Sequence, residues 1–317
     1  MDENGSRLKW AYQDHWRRFG AGGPVMPWTS VSELDRFIKQ IAAIGFTGIQ
    51  TFDWNLYAMR EMFGSTTGFE KFLQERGIEQ VVDLFHARSY DQTGSPHLRD
   101  THDTLFEECR VIMELAEGLN VQNLIVMPAA LYPDVAPVSD DQIKAAAELW
   151  SRVGEMTLQY GVKIGAHHEF FCGIRNADEV EKFYEWSDPR YVHFFMDTAQ
   201  HVIAGLDPVQ LYNRWHERVS GFHFKDTHNV DVNDDYRKRP DSELMAPTTP
   251  RWFHEMGTAA GLVDFPALVR AMREHGYSGW VGVEHDKANF GGNYAESTAI
   301  SAWYARNVLE PIYEGRA

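Results

Sequence analysis

Residues 163–169 read KIGAHHE, an apolar strand-like run that ends in two histidines and a glutamate. Because successive side chains of a strand point to opposite faces, His167 and Glu169 share one face and His168 occupies the other. An imidazole beside a carboxylate at a strand end can bind a metal ion as a ligand pair, transfer protons as an acid–base pair, or do neither. Which chemistry applies depends on what the other strands carry at their ends.

Acidic and imidazole side chains recur at the ends of the later strand-like runs. VHFFMD ends at Asp197, GFHFKD carries His223 and Lys225 on one face, and GWVGVEHD carries Glu284. If these strands are parallel neighbours, these residues and Glu169 converge at one end of the sheet. Three carboxylates and one imidazole suit Mn²⁺, Mg²⁺ or Co²⁺ better than a thiolate-selected zinc site. A loop salt bridge explains any one of them, but four in succession favour a metal site.

Strand-like runs alternate with amphipathic helical patterns along the 317-residue chain. In residues 30–45, for example, apolar positions recur with helical spacing, Ser30 and Glu33 have capping-box spacing, and Gly45 is placed to end the helix. The alternation predicts a closed, parallel (β/α)8 TIM barrel in one domain over 1–317, with a long loop at about 227–263. The strand-like runs are Leu8–Tyr12, Gly48–Asp53, Gln80–Ala87, Asn123–Met127, Lys163–Glu169, Val192–Asp197, Gly221–Asp226 and Gly279–Asp286.

Composition excludes several classes of protein. A formal net charge of −16 disfavours binding to nucleic acid or to an anionic membrane, since both need clustered Lys and Arg. Cys109 and Cys172 are distant and in no CxxC spacing, which argues against a disulfide scaffold, a zinc finger or an Fe–S cluster. Neither a signal-peptide core nor an apolar run of about 18 residues is visible, so we expect a cytoplasmic protein.

Four segments together resemble the sugar phosphate isomerase/epimerase superfamily of xylose isomerase-like TIM barrels. They are GVKIGAHHE, FFMDTAQHVIAGLDP, GFHFKDTH and the VDFP…VEHD stretch, and the likeness is clearest over residues 160–310. Inosose dehydratase-like members and the large subunits of C-glycoside deglycosidases are the most similar branches. The resemblance implies one divalent ion, with Mn²⁺ favoured over Mg²⁺, Co²⁺ or Zn²⁺, on Glu169, Asp197, His223 and Glu284.

Two departures from the family pattern bear on the substrate. The family has D-x-x-H after the sixth strand, whereas this chain has Gln200 at that place and a histidine one residue later, His201. Ketose epimerases and inosose dehydratases carry an arginine soon after the metal histidine, whereas this chain has Thr227, His228 and Asn229 there. The loss of that cation counts against a phosphorylated or strictly epimerase-type substrate.

The positions of residues around the predicted metal site suggest roles for them. We expect His167 to act as the acid–base catalyst or else to orient Glu169, and Lys225 to bind a substrate oxygen or else to form an internal salt bridge. Glu284 is expected to serve catalysis as well as the metal. Further side chains near strand ends are expected to contact the substrate, namely His15, Trp54, His86, Gln200, His201 and His228.

Three functions follow from these expectations. The first is a divalent-metal-dependent lyase for a keto-sugar, keto-inositol or 3-keto-glycoside, which removes an α-proton, stabilises an enediolate on the metal and eliminates a β-substituent, as in a dehydratase or C-glycoside deglycosidase. The second is a metal-dependent sugar isomerase or epimerase that works by 1,2-proton transfer. The third is a non-catalytic sugar-binding barrel. We also expect an oligomer, either of this chain alone or of this chain with a small partner subunit.

Overall fold

The computed structural model describes residues 8–14, 28, 30–86, 95–130, 138–231, 233, 253–258, 261–285 and 294–316. Eight parallel strands form a closed barrel in which the first strand pairs with both the second and the last, so the predicted fold class is confirmed. The barrel strands are β1 Lys9–Gln13, β2 Gly48–Phe52, β3 Gln80–His86, β4 Asn123–Val126, β5 Lys163–His167, β6 Val192–Asp197, β7 Val219–Phe224 and β10 Trp280–Val283.

Helices connect the strands and surround the barrel. The predicted ends of the first helix are confirmed, because the Ser30 hydroxyl accepts the Glu33 N–H at 3.2 Å and Gly45 has a left-handed φ of 110°. No helix in the described ranges is long and apolar enough to cross a bilayer. The helices are α1 Val31–Ile44, α2 Asn55–Phe63, α3 Thr66–Gln74, α4 His102–Leu115, α5 Asp140–Leu158, α6 Ala177–Trp186, α7 Thr198–Ile203, α8 Pro208–Trp215, α9 Phe265–Glu274, α10 Tyr294–Tyr304 and α11 Glu310–Tyr313.

The predicted loop at 227–263 is partly structured. Two short strands, β8 Asp226–Thr227 and β9 Phe253–His254, pair antiparallel at its base. The sequence did not predict these two strands, because two-residue strands leave no periodic pattern in a sequence. Residues 232, 234–252 and 259–260 of this stretch lie outside the described residues.

Glycines on the inner faces of the strands make room for one aromatic ring in the barrel. A Cβ added to Gly221 would lie 2.4 Å from Cε2 of Phe195, so only glycine fits beside this ring. The Phe195 ring in turn contacts His223, with ring centroids 4.8 Å apart and the planes nearly perpendicular. Phe195 therefore forms an apolar floor beneath the carboxyl ends of the strands.

Below this floor a buried carboxyl group lies inside the barrel. One oxygen of Asp83 accepts the side-chain N–H of Gln50 at 2.6 Å, and the other accepts the backbone and side-chain N–H groups of Asn123 at 3.0 and 2.7 Å. Burial nevertheless raises the pKa of Asp83 from 3.8 to about 6, because the charged form loses more hydration than these bonds return. The ionised carboxylate at neutral pH is thus a destabilising feature of the fold.

We predict that Asp83→Asn removes a pH-dependent loss of stability. Between pH 3.8 and about 6 the folded protein binds this proton more strongly than the unfolded chain, so the free energy of unfolding falls as the pH rises through that window. The variant should therefore gain up to about 3 kcal/mol relative to the wild type between about pH 4 and about pH 7. Urea unfolding of both proteins with EDTA present measures this difference.

The new amide can be accommodated by its neighbour. Among the described residues the side-chain oxygen of Gln50 has no hydrogen-bond partner, so the Gln50 amide can rotate and accept an N–H from the new asparagine. The prediction is contradicted if the free energies of unfolding of wild type and variant change in parallel over this pH range. Asp83 would then have the same pKa in the folded and the unfolded chain.

Candidate metal centre

Four buried side chains from four neighbouring strands meet at the carboxyl end of the barrel. Each offers one donor atom, and these atoms all lie within 4.8 Å of one another. They are His167, Asp197, His223 and Glu284. His167 and Asp197 are the last residues of β5 and β6. His223 lies within β7, and Glu284 directly follows β10.

The spacing of the donor atoms fits one divalent ion. Nε2 of His167 lies 3.2 Å from both Oδ2 of Asp197 and Nδ1 of His223. The same nitrogen of His223 lies 2.9 Å from Oε2 of Glu284 and 3.8 Å from Oδ2 of Asp197. Donor atoms that bind one ion at about 2.1 Å with ordinary angles are about 3.0–3.5 Å apart. These residues can therefore hold a divalent metal with small movements.

Lys225 makes ion pairs with two of the same oxygen atoms. Its buried ammonium lies 3.0 Å from Oδ2 of Asp197 and 2.8 Å from Oε2 of Glu284. It also lies 4.3 Å from the ring centroid of Phe253 on β9. The internal salt bridge expected as one alternative is thus present. A metal that bound both oxygens would have to share them with this ammonium or displace it.

Glu169 lies beside the four clustered residues rather than among them. It is buried in the segment after β5, and its Oε1 is 3.6 Å from Nδ1 of His167. The backbone here is fixed, because the Cys172 N–H donates to the Glu169 carbonyl at 2.9 Å and the Phe170 N–H donates to Oε1 of Gln200 at 3.1 Å. The structure thus brings three of the four predicted ligands together with His167, and the ligand role of Glu169 stays a prediction.

The departure from D-x-x-H after β6 places Gln200 and His201 in different surroundings. Asp197 caps α7 by accepting the Gln200 N–H on Oδ1 at 2.9 Å, while its Oδ2 faces the other ligands. His201 packs against His168, with ring centroids 6.1 Å apart, on the face opposite His167. Burial holds the pKa of His201 well below its usual value and lowers that of His168 to about 4. Both of these rings are therefore neutral and lie away from the metal centre.

Trp54 and His86, two predicted substrate contacts, lie near the ends of β2 and β3, and their side chains point to opposite faces of the sheet. The Trp54 ring stacks on Phe52 with centroids 4.2 Å apart and an interplanar angle of 5°. His86 follows Phe85, whose ring faces His167 at 5.3 Å, so the alternation of β3 turns His86 away from the metal centre. There Nδ1 of His86 lies 2.8 Å from Oδ2 of Asp53.

The remaining predicted substrate contacts lie at the rim or outside the described residues. His228 is exposed, and its ring stacks on His254 of β9 with centroids 3.4 Å apart. His15 lies outside the described residues. The sequence pattern did not reveal that the rings of Phe85 and Phe195 enclose His167 and His223, because aromatic residues in strands are common in any core.

His167 is surrounded by both apolar rings and charged groups. Burial lowers the pKa of His167, and the neighbouring Asp197 carboxylate opposes this without reversing it. Among the described residues its Nδ1 has no hydrogen-bond partner. The neutral ring can therefore donate a lone pair to a metal or accept a proton from a substrate.

Comparisons with known proteins agree with the barrel fold. The family described as xylose isomerase-like TIM barrel matches residues 38–305. The inosose dehydratase of Lacticaseibacillus casei is 25% identical over 220 residues, which are 68% of this chain and 72% of that protein. An L-ribulose 3-epimerase structure has a TM-score of 0.74 at 14% identity and covers 98% of this chain and 96% of its own. The IolI protein with a bound zinc atom has a TM-score of 0.67 at 16% identity, covering 96% and 99%.

We predict that Lys225→Met tightens the binding of a divalent metal. Removing a cation that lies on Asp197 and Glu284 leaves their charges uncompensated, and unit charges about 4 Å apart interact by about 4 kcal/mol at an effective dielectric constant of about 20. After relaxation of the site, we expect the Mn²⁺ dissociation constant to fall by about tenfold or more in isothermal titration calorimetry.

A matched control is Lys182→Met, which removes a half-buried lysine that pairs with Asp140 and Asp178 on the helical layer. This control should leave the Mn²⁺ affinity unchanged. Unchanged or weaker binding by the Lys225 variant would show that Lys225 does not compete with the metal for these oxygens.

Proposed function

The chain belongs to the xylose isomerase-like TIM barrel family, and from that premise we propose that it is a divalent-metal-dependent lyase acting on a keto-sugar, keto-inositol or 3-keto-glycoside. The observation that carries this proposal is the buried group of His167, Asp197, His223 and Glu284 beside the Lys225 ammonium. The similarity to an inosose dehydratase supports a carbohydrate-modifying enzyme and favours elimination.

The proposed metal ligands are Glu169, Asp197, His223 and Glu284. The strand register supports Glu169 as a member of this set. His167 of β5 pairs with Phe195 of β6. Two residues further along each segment, this register places Glu169 level with Asp197. Asp197 in turn pairs with His223 of β7. Three carboxylates and one imidazole would suit Mn²⁺, which is our proposed ion. A divalent ion on these ligands would polarise the substrate ketone and acidify the neighbouring C–H group.

His167 is proposed as the acid–base catalyst. In this proposal Nδ1 accepts the α-proton, and the resulting imidazolium returns that proton to the leaving hydroxyl, so that C–H and C–O bonds break, a C=C bond forms and water leaves. The Asp197 carboxylate, 3.2 Å from Nε2, stabilises the imidazolium between these steps. The rings of Phe85 and Phe195 limit the access of water to His167.

Lys225 is proposed to bind the oxygen that gains charge when the α-proton leaves. Its ammonium lies on the Glu284 side of the site, 2.8 Å from Oε2, and an ammonium displaced from this carboxylate is close enough to pair with an enolate oxygen. Glu284 is then both a ligand and the group that positions Lys225. Gln200 holds the backbone next to Glu169, which makes it a positioning residue in this proposal.

We predict that Glu169→Gln and His167→Gln separate metal binding from proton transfer. If Glu169 is the fourth ligand, its variant should weaken Mn²⁺ binding by about tenfold to about 100-fold. The His167 variant should bind Mn²⁺ within a few-fold of the wild type but exchange the substrate α-proton about 10²–10⁴-fold more slowly. Glu155→Gln, at an exposed position on α5, is the control for the loss of a glutamate. The reverse pattern would make His167 a ligand and remove it from proton transfer.

The reaction type is tested by incubating the protein with 2-keto-myo-inositol, keto-sugars and 3-keto-glycosides in D₂O, followed by proton NMR after removal of protein and metal. We expect loss of water or aglycone with Mn²⁺ and none after EDTA treatment, because the ketone is activated only with a metal on the carboxylates. A substrate that keeps its carbon skeleton and oxygens but gains deuterium at the α-carbon would instead establish the isomerase or epimerase reaction.

That second function uses the same residues. A 1,2-proton transfer needs a group that removes the α-proton and another that delivers one to the neighbouring carbon or opposite face, and both His167 and the carboxylates surround the same point. If no member of the substrate panel reacts or exchanges and the wild type binds no metal, the protein is a non-catalytic barrel.

A further inference from the structure

We infer that Gln13 binds a hydroxyl group of the substrate beside the metal centre. This residue is the last of β1, on the side of the barrel opposite β5 and β6, and the sequence predicted His15, two residues later, rather than Gln13 as a substrate contact. The inference rests on the proposed function for the identity of the substrate but on the structure alone for the binding position.

The strand register places the Gln13 side chain inside the barrel. Gln13 pairs with Gln50 of β2, whose side chain points inward to Asp83. On the other side of β1, Tyr12 pairs with Val283 of β10. Gln13 and Glu284 are the next residues after this pair, so the same register places them side by side. Side chains at paired positions of parallel strands share a face, which directs Gln13 and Glu284 to the same mouth of the barrel.

The amide of Gln13 is buried without a hydrogen-bond partner. The residue has 0% exposure, and both Nε2 and Oε1 lack a partner among the described residues. A buried amide that makes no hydrogen bond is costly, because the hydration it loses is not replaced, and an apolar side chain of the same size would avoid this cost. A bound ligand that supplies both a donor and an acceptor would remove the cost of burying this amide.

The surroundings of Gln13 indicate an uncharged, polyhydroxylated ligand. An amide offers both a donor and an acceptor, as a hydroxyl group requires, whereas a phosphate dianion only accepts and would leave the amide oxygen without a donor. Nearer the rim, the indole N–H of Trp54 is also buried and without a partner among the described residues, and its ring lies flat on Phe52. Together these groups fit a ring that carries neighbouring hydroxyls and presents an apolar face to the aromatic side chains.

The test is the variant Gln13→Met, which keeps the length of the side chain but removes its hydrogen bonds. Isothermal titration calorimetry of the Mn²⁺-loaded protein with myo-inositol, which has no ketone to react, measures binding without turnover. We expect the dissociation constant of myo-inositol to rise by about 10- to 100-fold, with Mn²⁺ affinity close to that of the wild type. The melting temperature of the ligand-free variant should equal or exceed that of the wild type, because methionine avoids the cost of the buried amide. Gln159→Met, at an exposed position after α5, should change none of these values.

Monodeoxy-inositols identify the hydroxyl that Gln13 contacts. The analogue that lacks this hydroxyl should bind the wild type as weakly as myo-inositol binds the variant. For this analogue, and for no other, Gln13→Met should leave the dissociation constant unchanged. If the variant does not fold, Gln13→Ala, which leaves room for water, is measured in the same way. Equal binding of myo-inositol by wild type and variant, or no binding of it by the wild type, would overturn the inference.

The proposed reaction and the binding position can fail separately. Loss of myo-inositol binding in the variant supports the role of Gln13 even if 2-keto-myo-inositol proves not to react. Conversely, elimination from 2-keto-myo-inositol at an unchanged KM and kcat in the variant would establish the lyase and overturn the role of Gln13.

Discussion

The compensation of buried negative charge at the carboxyl end of the barrel is the constraint on which the site depends. Asp197 and Glu284 are at most 4% exposed, and carboxylates cannot remain ionised there without cations or donors nearby. Lys225 supplies one cation to both of them. A divalent ion would compensate the same charge more completely, which makes metal binding and the position of Lys225 mutually dependent. The chemistry proposed for the site uses that dependence, because an ammonium released by the metal is available to the substrate.

The barrel below the site sets how rigidly these charges are held. Phe195 occupies the space left by inward-facing glycines and supports His223 from below, so the imidazole cannot sink into the barrel. Further down, Asp83 is held by Gln50 and Asn123. The inside of the barrel therefore alternates between an apolar layer and polar ones. The apolar layer separates the Asp83 carboxyl from the acidic groups of the metal centre.

Much of this arrangement follows from local sequence patterns. The period of apolar residues and the capping residues Ser30 and Gly45 predict α1 to the residue, and the ends of β6 and β7 predict which side chains reach the mouth of the barrel. In contrast, the contacts of Gln200 with Phe170 and of His201 with His168 depend on how α7 packs, and no local pattern encodes that packing. The same holds for Gln13, because burial without a partner is a property of the assembled barrel.

A second buried ion pair links the metal centre to the base of the long loop after β7. Arg175, which is 1% exposed, donates to the carbonyl of Phe170, next to Glu169, and to the carboxylate of Asp231 at 2.7 Å. The Asp231 N–H in turn donates to the carbonyl of Ile203 at the end of α7 at 2.7 Å. Because breaking a buried pair leaves an uncompensated charge, these three segments are held together as one unit. The position of Glu169 is thus tied to the loop base and to the helix that Asp197 caps, so a shift in any of these segments would change the geometry of the metal ligands.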